Sequence, residues 1–380
     1  MFKKYNFKDY RFRLIIYVVL LSVIGVIFIG SANPDYQMRQ LLGVIAGCVL
    51  MLLISCVDYR FITQFYRIFY LLTVVLLILV LVVGKETNGA TRWIDLGPFA
   101  FQPSDLAKLF LILYFSMYFF KYREKLNTAK TIVPALILFS IPAFLIFREP
   151  NLSTTIIMTM IFITLLFIAG LSYKIIGTVL AIGIPSAIVV MVLLMKQLIP
   201  LKQYQYSRIM SWIDPVTYSD DSFQQQYSMK AIGSGQLFGK GLNNNSFTSV
   251  KNGNFISEPQ TDFIFAIIGE ELGFVGSVVV IGLILLIVLE CVMVARKAKD
   301  IPGRLICCGI ATWIGFQGFV NLCVASGMMP NTGVTLPFVS YGLTSLLSLY
   351  LGIGIVLNIG LQGKKHHIGD EEDEYSFRRS

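Results

Sequence analysis

Charge is what this chain has least of. Of its 380 residues only 14% are charged, while 56% are hydrophobic. A soluble domain carries roughly 25% charged residues. A water-soluble globule is therefore excluded, and an integral membrane protein is expected. Histidine is scarcer still: His366 and His367 are the only two, both near the end of the chain. No histidine is placed to act as a base or ligand on the opposite membrane face. The six cysteines (Cys48, Cys56, Cys291, Cys307, Cys308, Cys323) all fall in apolar runs without ligand spacing to a histidine. That pattern argues against a metal site and against disulfides. No internal repeat is evident, which counts against an inverted-repeat transporter. A cleavable signal is not expected, because Lys3, Lys4, Lys8, Arg11 and Arg13 run straight into a full-length apolar segment.

Long apolar runs are what the chain has in abundance. Segments 14–31, 40–57, 67–84, 104–120, 131–147, 152–170, 174–195, 263–295, 305–329 and 336–361 predict ten transmembrane helices. Most match the roughly 17–25 residues that cross a bilayer. The run 263–295 is too long and should tilt or break, with Gly269-Glu270-Glu271 as the expected break. Lys and Arg concentrate in alternate connections: the N-terminal tail, Arg60 and Arg67, Lys121 to Lys130, Lys174, Arg296 to Arg304, and the C-terminal tail. The other short connections hold only Arg39, Lys85, Arg92 and Arg148. This asymmetry predicts both termini in the cytoplasm. The net charge of +9 is thus a topology signal. The basic residues are too scattered for nucleic-acid binding.

The expected organisation is an all-α integral membrane protein. A cytoplasmic tail (1–13) precedes a ten-span membrane domain (14–361), and a disordered acidic tail (362–380) follows. One large extracytoplasmic loop, 196–262, joins spans seven and eight. Loops of that length are usually functional or disordered. Tyr204, Tyr206, Trp212, Phe223 and Tyr227 predict short helices within it. A second outer segment, 85–103, reads as a Gly- and Pro-rich loop carrying Arg92, Trp93 and Asp95.

The polar residues that carry chemistry cluster on the outer side. Asp262 ends the long loop and precedes an apolar helix, so it reads either as an N-cap or as a general base. Asp105 and Lys108 share one face of span four, opened by Pro103 and Ser104. A lysine inside a span must be paired or face a polar cavity, so the two form either a structural ion pair or an anion site. Glu270 and Glu271 lie two turns beyond Asp262, and one of them could pair with Lys108. Glu290 reads as snorkelling or paired near Arg296. The stretch Gly233-Ser234-Gly235-Gln236-Leu237-Phe238-Gly239-Lys240-Gly241 imitates a phosphate loop. Ser234 and Gly241 stand at the wrong places for one, and the segment faces away from ATP. Arg148-Glu149-Pro150-Asn151 reads as a tight turn with Arg148 available to an anion. Arg92, Asp105, Lys108, Arg208, Lys240, Glu258, Asp262 and Glu271 together suit a lipid-linked anionic substrate with a hydroxyl to be activated.

Four blocks occur in an order that resembles one family. They are Arg92-Trp93-Ile94 with Gln102-Pro103-Ser104; Ala231-Ile232-Gly233-Ser234-Gly235 with Gly239-Lys240-Gly241; Thr261-Asp262-Phe263-Ile264-Phe265-Ala266 with Glu270-Glu271-Leu272-Gly273; and Pro330-Asn331-Thr332-Gly333 with Leu336-Pro337-Phe338-Val339-Ser340-Tyr341-Gly342. The chain is similar to the SEDS family (shape, elongation, division and sporulation) of bacterial membrane proteins. The resemblance implies a peptidoglycan glycosyltransferase of the bacterial cytoplasmic membrane that polymerises lipid II. Its other ligand would be the undecaprenyl-diphosphate-linked glycan, and its partner a class B penicillin-binding transpeptidase. Asp262 falls on the family's catalytic acid. Arg92, Asp105, Lys108, Arg208, Lys240, Glu258, Glu271 and Ser340 would line the substrate site. No cofactor is assigned from the sequence, and a divalent cation (Mg2+ or Mn2+) would suit the charge on a leaving diphosphate. The chain departs from the family pattern at Asp105 (usually Glu), Asn151 (usually Asp), Ser257 (usually Pro) and Leu343 (usually Gly). A lipid II flippase and a non-catalytic morphogenetic scaffold are the alternative readings.

Overall fold

The computed structural model describes residues 10–87, 90–95, 97, 100–175, 177, 181, 203–243, 249, 256 and 258–362. Helices α1 (Phe12–Ala32) and α2 (Pro34–Cys56) form a tight hairpin. Asn33 makes the turn: its side chain accepts the Asp35 N–H, and Pro34 takes the first helical position, where no N–H is needed. The short α3 (Tyr59–Gln64), capped by Asp58, leads into α4 (Tyr66–Val83). Next come α5 (Pro103–Lys121), α6 (Ala129–Arg148) and α7 (Leu152–Ile168). Two helices, α8 (Gln203–Ile213) and α9 (Ser219–Ser234), lie within the expected long loop. The chain then forms α10 (Ile264–Lys297), α11 (Ile301–Ala325) and α12 (Leu343–Leu361). A helix meets every expected span except the seventh, 174–195, which lies largely outside the described residues. Seven of the described helices are long and apolar enough to cross a membrane. The chain is a multi-pass membrane protein.

The bundle is organised around α11 and α12. In α12, 78% of the most apolar window is buried, against 17% in α4, so α12 is central and α4 peripheral. Close approach of α12 to α2 depends on small residues. A Cβ at Gly47 would stand 2.2 Å from the Tyr350 ring, and one at Gly354 would stand 2.8 Å from the Met51 carbonyl oxygen. At the end of the bundle holding Asp300, polar ties fix the helices. Asp300 caps α11 through the Gly303 N–H (2.9 Å), and also accepts from the Tyr59 hydroxyl (2.6 Å) and Arg60 Nε (3.2 Å).

Four expectations change at this level. Residues 85–103 are not a plain loop, because they carry a small antiparallel sheet: β1 (Lys85–Thr87), β2 (Ala90–Asp95) and β3 (Ala100–Phe101). Thr91, Trp93 and Ile94 favour extended backbone, and pairing holds β2 between its neighbours. The last helix begins at Leu343 rather than 336, because Phe338 is left-handed (φ 62°) and Gly342 is extended (φ 166°, ψ 87°), so neither continues a helix. Glu290 faces Arg11 (3.9 Å) rather than Arg296, since α1 packs on α10 there. The break in α10 falls at Gly273 (φ 65°, ψ −155°), not at 269–271. That conformation is open to glycine and costly for glutamate.

The glycine-rich stretch repairs this break. The Lys240 and Gly241 N–H groups donate to the carbonyls of Glu270 (2.9 Å) and Glu271 (3.1 Å). In return, Phe274 and Val275 donate to Gln236 (2.8 Å) and Leu237 (3.1 Å). Backbone groups released by the interrupted helical ladder are thus paired from outside the helix, as burial demands. A Cβ at Gly235 would stand 1.9 Å from the Gly269 oxygen, and one at Gly239 would stand 2.1 Å from the Glu271 oxygen. The stretch is glycine-rich because backbone lies on backbone.

Candidate active site

The turn 258–263 carries Asp262 into the end of the bundle. Glu258 adopts a left-handed conformation (φ 54°), and its carbonyl accepts from both the Thr261 N–H (3.1 Å) and the Thr261 hydroxyl (2.9 Å). Asn321 of α11 holds the turn against the segment 330–342: its Nδ2 donates to the carbonyls of Asp262 (2.8 Å) and Val334 (2.6 Å). The Tyr341 N–H donates to the Gln260 carbonyl (2.9 Å) from the same segment. Phe263, not Asp262, is the cap residue of α10, and it makes no side-chain cap bond. The cap reading of Asp262 therefore fails, because the helix starts one residue too late for it.

The half-buried Asp262 carboxylate faces Arg92 across Gly333. A Cβ at Gly333 would stand 3.2 Å from Asp262 Oδ2 and 3.7 Å from Arg92 Nη1. With φ at 69°, this position favours glycine on conformation as well as on space. Burial pushes the Asp262 carboxyl up to about 6. Arg92 and then Arg208 oppose that rise, and Glu258 adds to it.

Arg92 is aimed by β2 and by the turn after α6. Its Nε donates to the Glu149 carbonyl (3.2 Å) and its Nη2 to the Pro150 carbonyl. The Glu149 side chain is fully buried, and neither carboxyl oxygen has a hydrogen-bond partner among the described residues. Burial raises it to about 8, with Arg92 opposing and Asp105 reinforcing the rise. Reading the sequence as a turn misses Glu149; only its tertiary burial marks it. Asn151 caps α7 by accepting the Thr154 N–H (3.3 Å), work that Asp would do equally well. Ser153 beside it donates to the Thr332 carbonyl (2.8 Å) and so braces the segment that carries Gly333.

Asp105 and Lys108 form the pair their spacing predicts, at 2.8 Å. Lys108 is 2% exposed, donates also to Gln317 Oε1 (3.0 Å) and lies over the Trp313 ring. Gln317 Nε2 in turn donates to the Thr335 carbonyl (3.0 Å). This chain of contacts runs from α5 through α11 into the segment 330–342. The pair is thus linked through Gln317 to the segment that carries Gly333.

Three further candidates are held in other contacts. Lys240 pairs with Glu270 (2.9 Å), which corrects the expectation that a Glu of α10 would take Lys108. Glu271 accepts from Ser31 of α1. The Ser340 hydroxyl accepts the Leu336 N–H (2.7 Å) and fixes the loop. Arg208 of α8 acts on the charge of Asp262, and Glu258 is exposed beside it. Among the described residues, no three His, Cys, Asp or Glu side chains converge to hold a metal ion.

A multi-pass bundle with a carboxylate and a guanidinium facing each other across a glycine at one end defines a class of membrane protein with a polar site at that end. The chain belongs to the FtsW/RodA/SpoVE family of cell cycle proteins, whose family pattern matches residues 12–365. It is 33% identical over 305 residues to the "Probable peptidoglycan glycosyltransferase FtsW" of Haemophilus ducreyi, covering 79% of this chain and 74% of that one. The protein of the same description from Taylorella equigenitalis is 32% identical over 345 residues, 89% of this chain and 91% of the relative. Two solved structures are similar to it. One, described as "Structural coordination of polymerization and crosslinking by a peptidoglycan synthase complex", superposes with a TM-score of 0.77 at 28% identity, over 94% of this chain and 99% of that one. The other is the rod shape determining protein RodA of Thermus thermophilus, with a TM-score of 0.67 at 29% identity, over 95% and 98%.

Proposed function

We propose that this chain is a peptidoglycan glycosyltransferase that polymerises lipid II at the outer leaflet of the bacterial cytoplasmic membrane. One observation carries the reading: Asp262 is released from capping, partly buried, and set beside a guanidinium across a glycine. A carboxyl raised to about 6 is ionised at neutral pH, yet basic enough to take a proton in the transition state. The acceptor is the 4-hydroxyl of an N-acetylglucosamine unit. Its oxygen attacks the anomeric muramoyl carbon of the donor as Asp262 takes the hydroxyl proton. The carbon–oxygen bond to the diphosphate breaks, and undecaprenyl diphosphate leaves with the electron pair. The α donor becomes a β-1,4 product by inversion. Arg92, with Arg208, faces the diphosphate. A divalent cation would travel on that diphosphate, as Mg2+ commonly does, since the described residues form no cage of their own.

The site would lie outside the cytoplasm, because Arg60, Arg296, Lys297, Lys299 and Arg304 crowd the other end of the bundle. The partner would be a class B penicillin-binding transpeptidase that cross-links the emerging strand. The test is Asp262→Asn in purified protein supplied with lipid II, read as glycan length. Loss of a general base costs about 10²–10⁴-fold. Polymerisation should therefore fall at least about a hundredfold with an unchanged melting temperature. Near-normal polymer from this variant would overturn the assignment.

A further inference from the structure

Glu149 is the most unusual polar group near the site. Its carboxyl is fully buried, and neither oxygen has a hydrogen-bond partner among the described residues, although its own carbonyl and that of Pro150 anchor Arg92. A buried polar group left unmatched is costly and calls for a reason. The charged groups that act on it are Arg92 of β2 and Asp105 of α5. Asp105 is already paired with Lys108, so among the described residues Arg92 is the cation set to answer a charge on Glu149. Arg92 also faces Asp262 across Gly333, so the two carboxyls compete for a single guanidinium.

We propose that Glu149 is a positioning residue for transfer: held neutral, it leaves the charge of Arg92 to the diphosphate and to Asp262, and once ionised it takes that charge back. The inference rests on the transferase reading. It gives the site two opposed requirements. Asp262 must be ionised, which holds above about pH 6, and Glu149 must be protonated, which holds below about pH 8. The rate should then describe a bell whose alkaline limb belongs to Glu149.

The experiment compares purified wild-type protein with Glu149→Gln, which keeps the shape and removes the titration. Lipid II polymerisation is followed from pH 6 to 9.5. For the wild type the rate should fall about tenfold from pH 7 to 9, as one ionisation dictates, and in the variant that fall should be absent. A second reading needs no activity. A carboxyl raised on folding stabilises the protein at low pH, and that contribution is lost as pH rises through the folded value. The wild-type melting temperature should therefore drop from pH 6.5 to 8 relative to Glu149→Gln. An alkaline limb that persists in the variant overturns the proposal, as does a wild-type melting temperature that is flat over this range. A wild type that makes no polymer at any pH fails the transferase reading, and the role of Glu149 in transfer falls with it.

Discussion

Lys108 illustrates how much depends on a single buried partner. Its ammonium meets Asp105 at 2.8 Å and Gln317 at 3.0 Å, and almost none of it is exposed. Breaking a buried ion pair by removing one member costs about 3–5 kcal/mol, whereas removing both is often neutral. Lys108→Met alone should thus lower the melting temperature sharply, and Asp105→Leu with Lys108→Met should recover most of it. If the double variant also polymerises lipid II, the pair is a support; if it is stable and inactive, one of the two touches substrate. Sequence makes this pair legible, because spacing on one helix face is a local property. Glu149 is not legible in that way. Its behaviour comes from β2, α5 and α6 closing over it, and the neighbouring Pro150 and Asn151 make the stretch look like an ordinary turn.

At the scale of elements, helices and their capping residues follow from local signals, and breaks and pairings do not. Pro103 and Ser104 announce the start of α5, and Asn33-Pro34 announces α2. The β1–β2 hairpin also had a signal, because Asn88-Gly89 lies between two short extended runs. A reading by span hydropathy passes over such a signal. The break at Gly273 could not be placed from sequence, because Gly269 and Gly276 sit nearby and only the docking of the 235–241 stretch distinguishes among them. Two substitutions in that stretch should behave differently. Gly241→Ala faces open space at φ 95° and should cost only about 1–2 kcal/mol, the usual penalty for a left-handed alanine. Gly239→Ala has the same kind of penalty (φ 80°), and its methyl also meets the Glu271 backbone at 2.1 Å. Thermal unfolding in detergent should show the larger loss for Gly239→Ala, and equal losses would mean that the docking contributes little.

For the whole molecule, the asymmetry of charge is the main functional statement. Basic residues gather at the end of the bundle holding Asp300, while Asp262, Arg92 and Glu149 gather at the other. A transferase with its reacting groups on one side needs no passage for substrate through the bundle. Lipid II placed only in the leaflet facing Asp262 should be polymerised by proteoliposomes. Protein inserted the other way should leave it untouched, with orientation scored by protease access to a tag after Lys365. Protein-dependent crossing of labelled lipid II without polymer would favour transport instead. The family blocks made this reading available from sequence, since they carry Asp262 and Arg92 together, but their meeting across Gly333 joins three distant segments.

The interruption at Gly273 divides α10 into unequal lengths. The shorter begins at Ile264, two residues after the acid, and both it and the first residues of the longer are fastened sideways to the stretch after α9. An unbroken helix would act as a stiff rod, passing any tilt of its lower part directly to Asp262. Membranes differ in thickness, and long helices answer such mismatch chiefly by tilting. Because the 235–241 stretch is bonded to Glu270 and Glu271 above the break and to Phe274 and Val275 below it, the joint is braced on both sides. The approach of Asp262 to Arg92 is thereby set by a stretch outside the helix as well as by the helix itself.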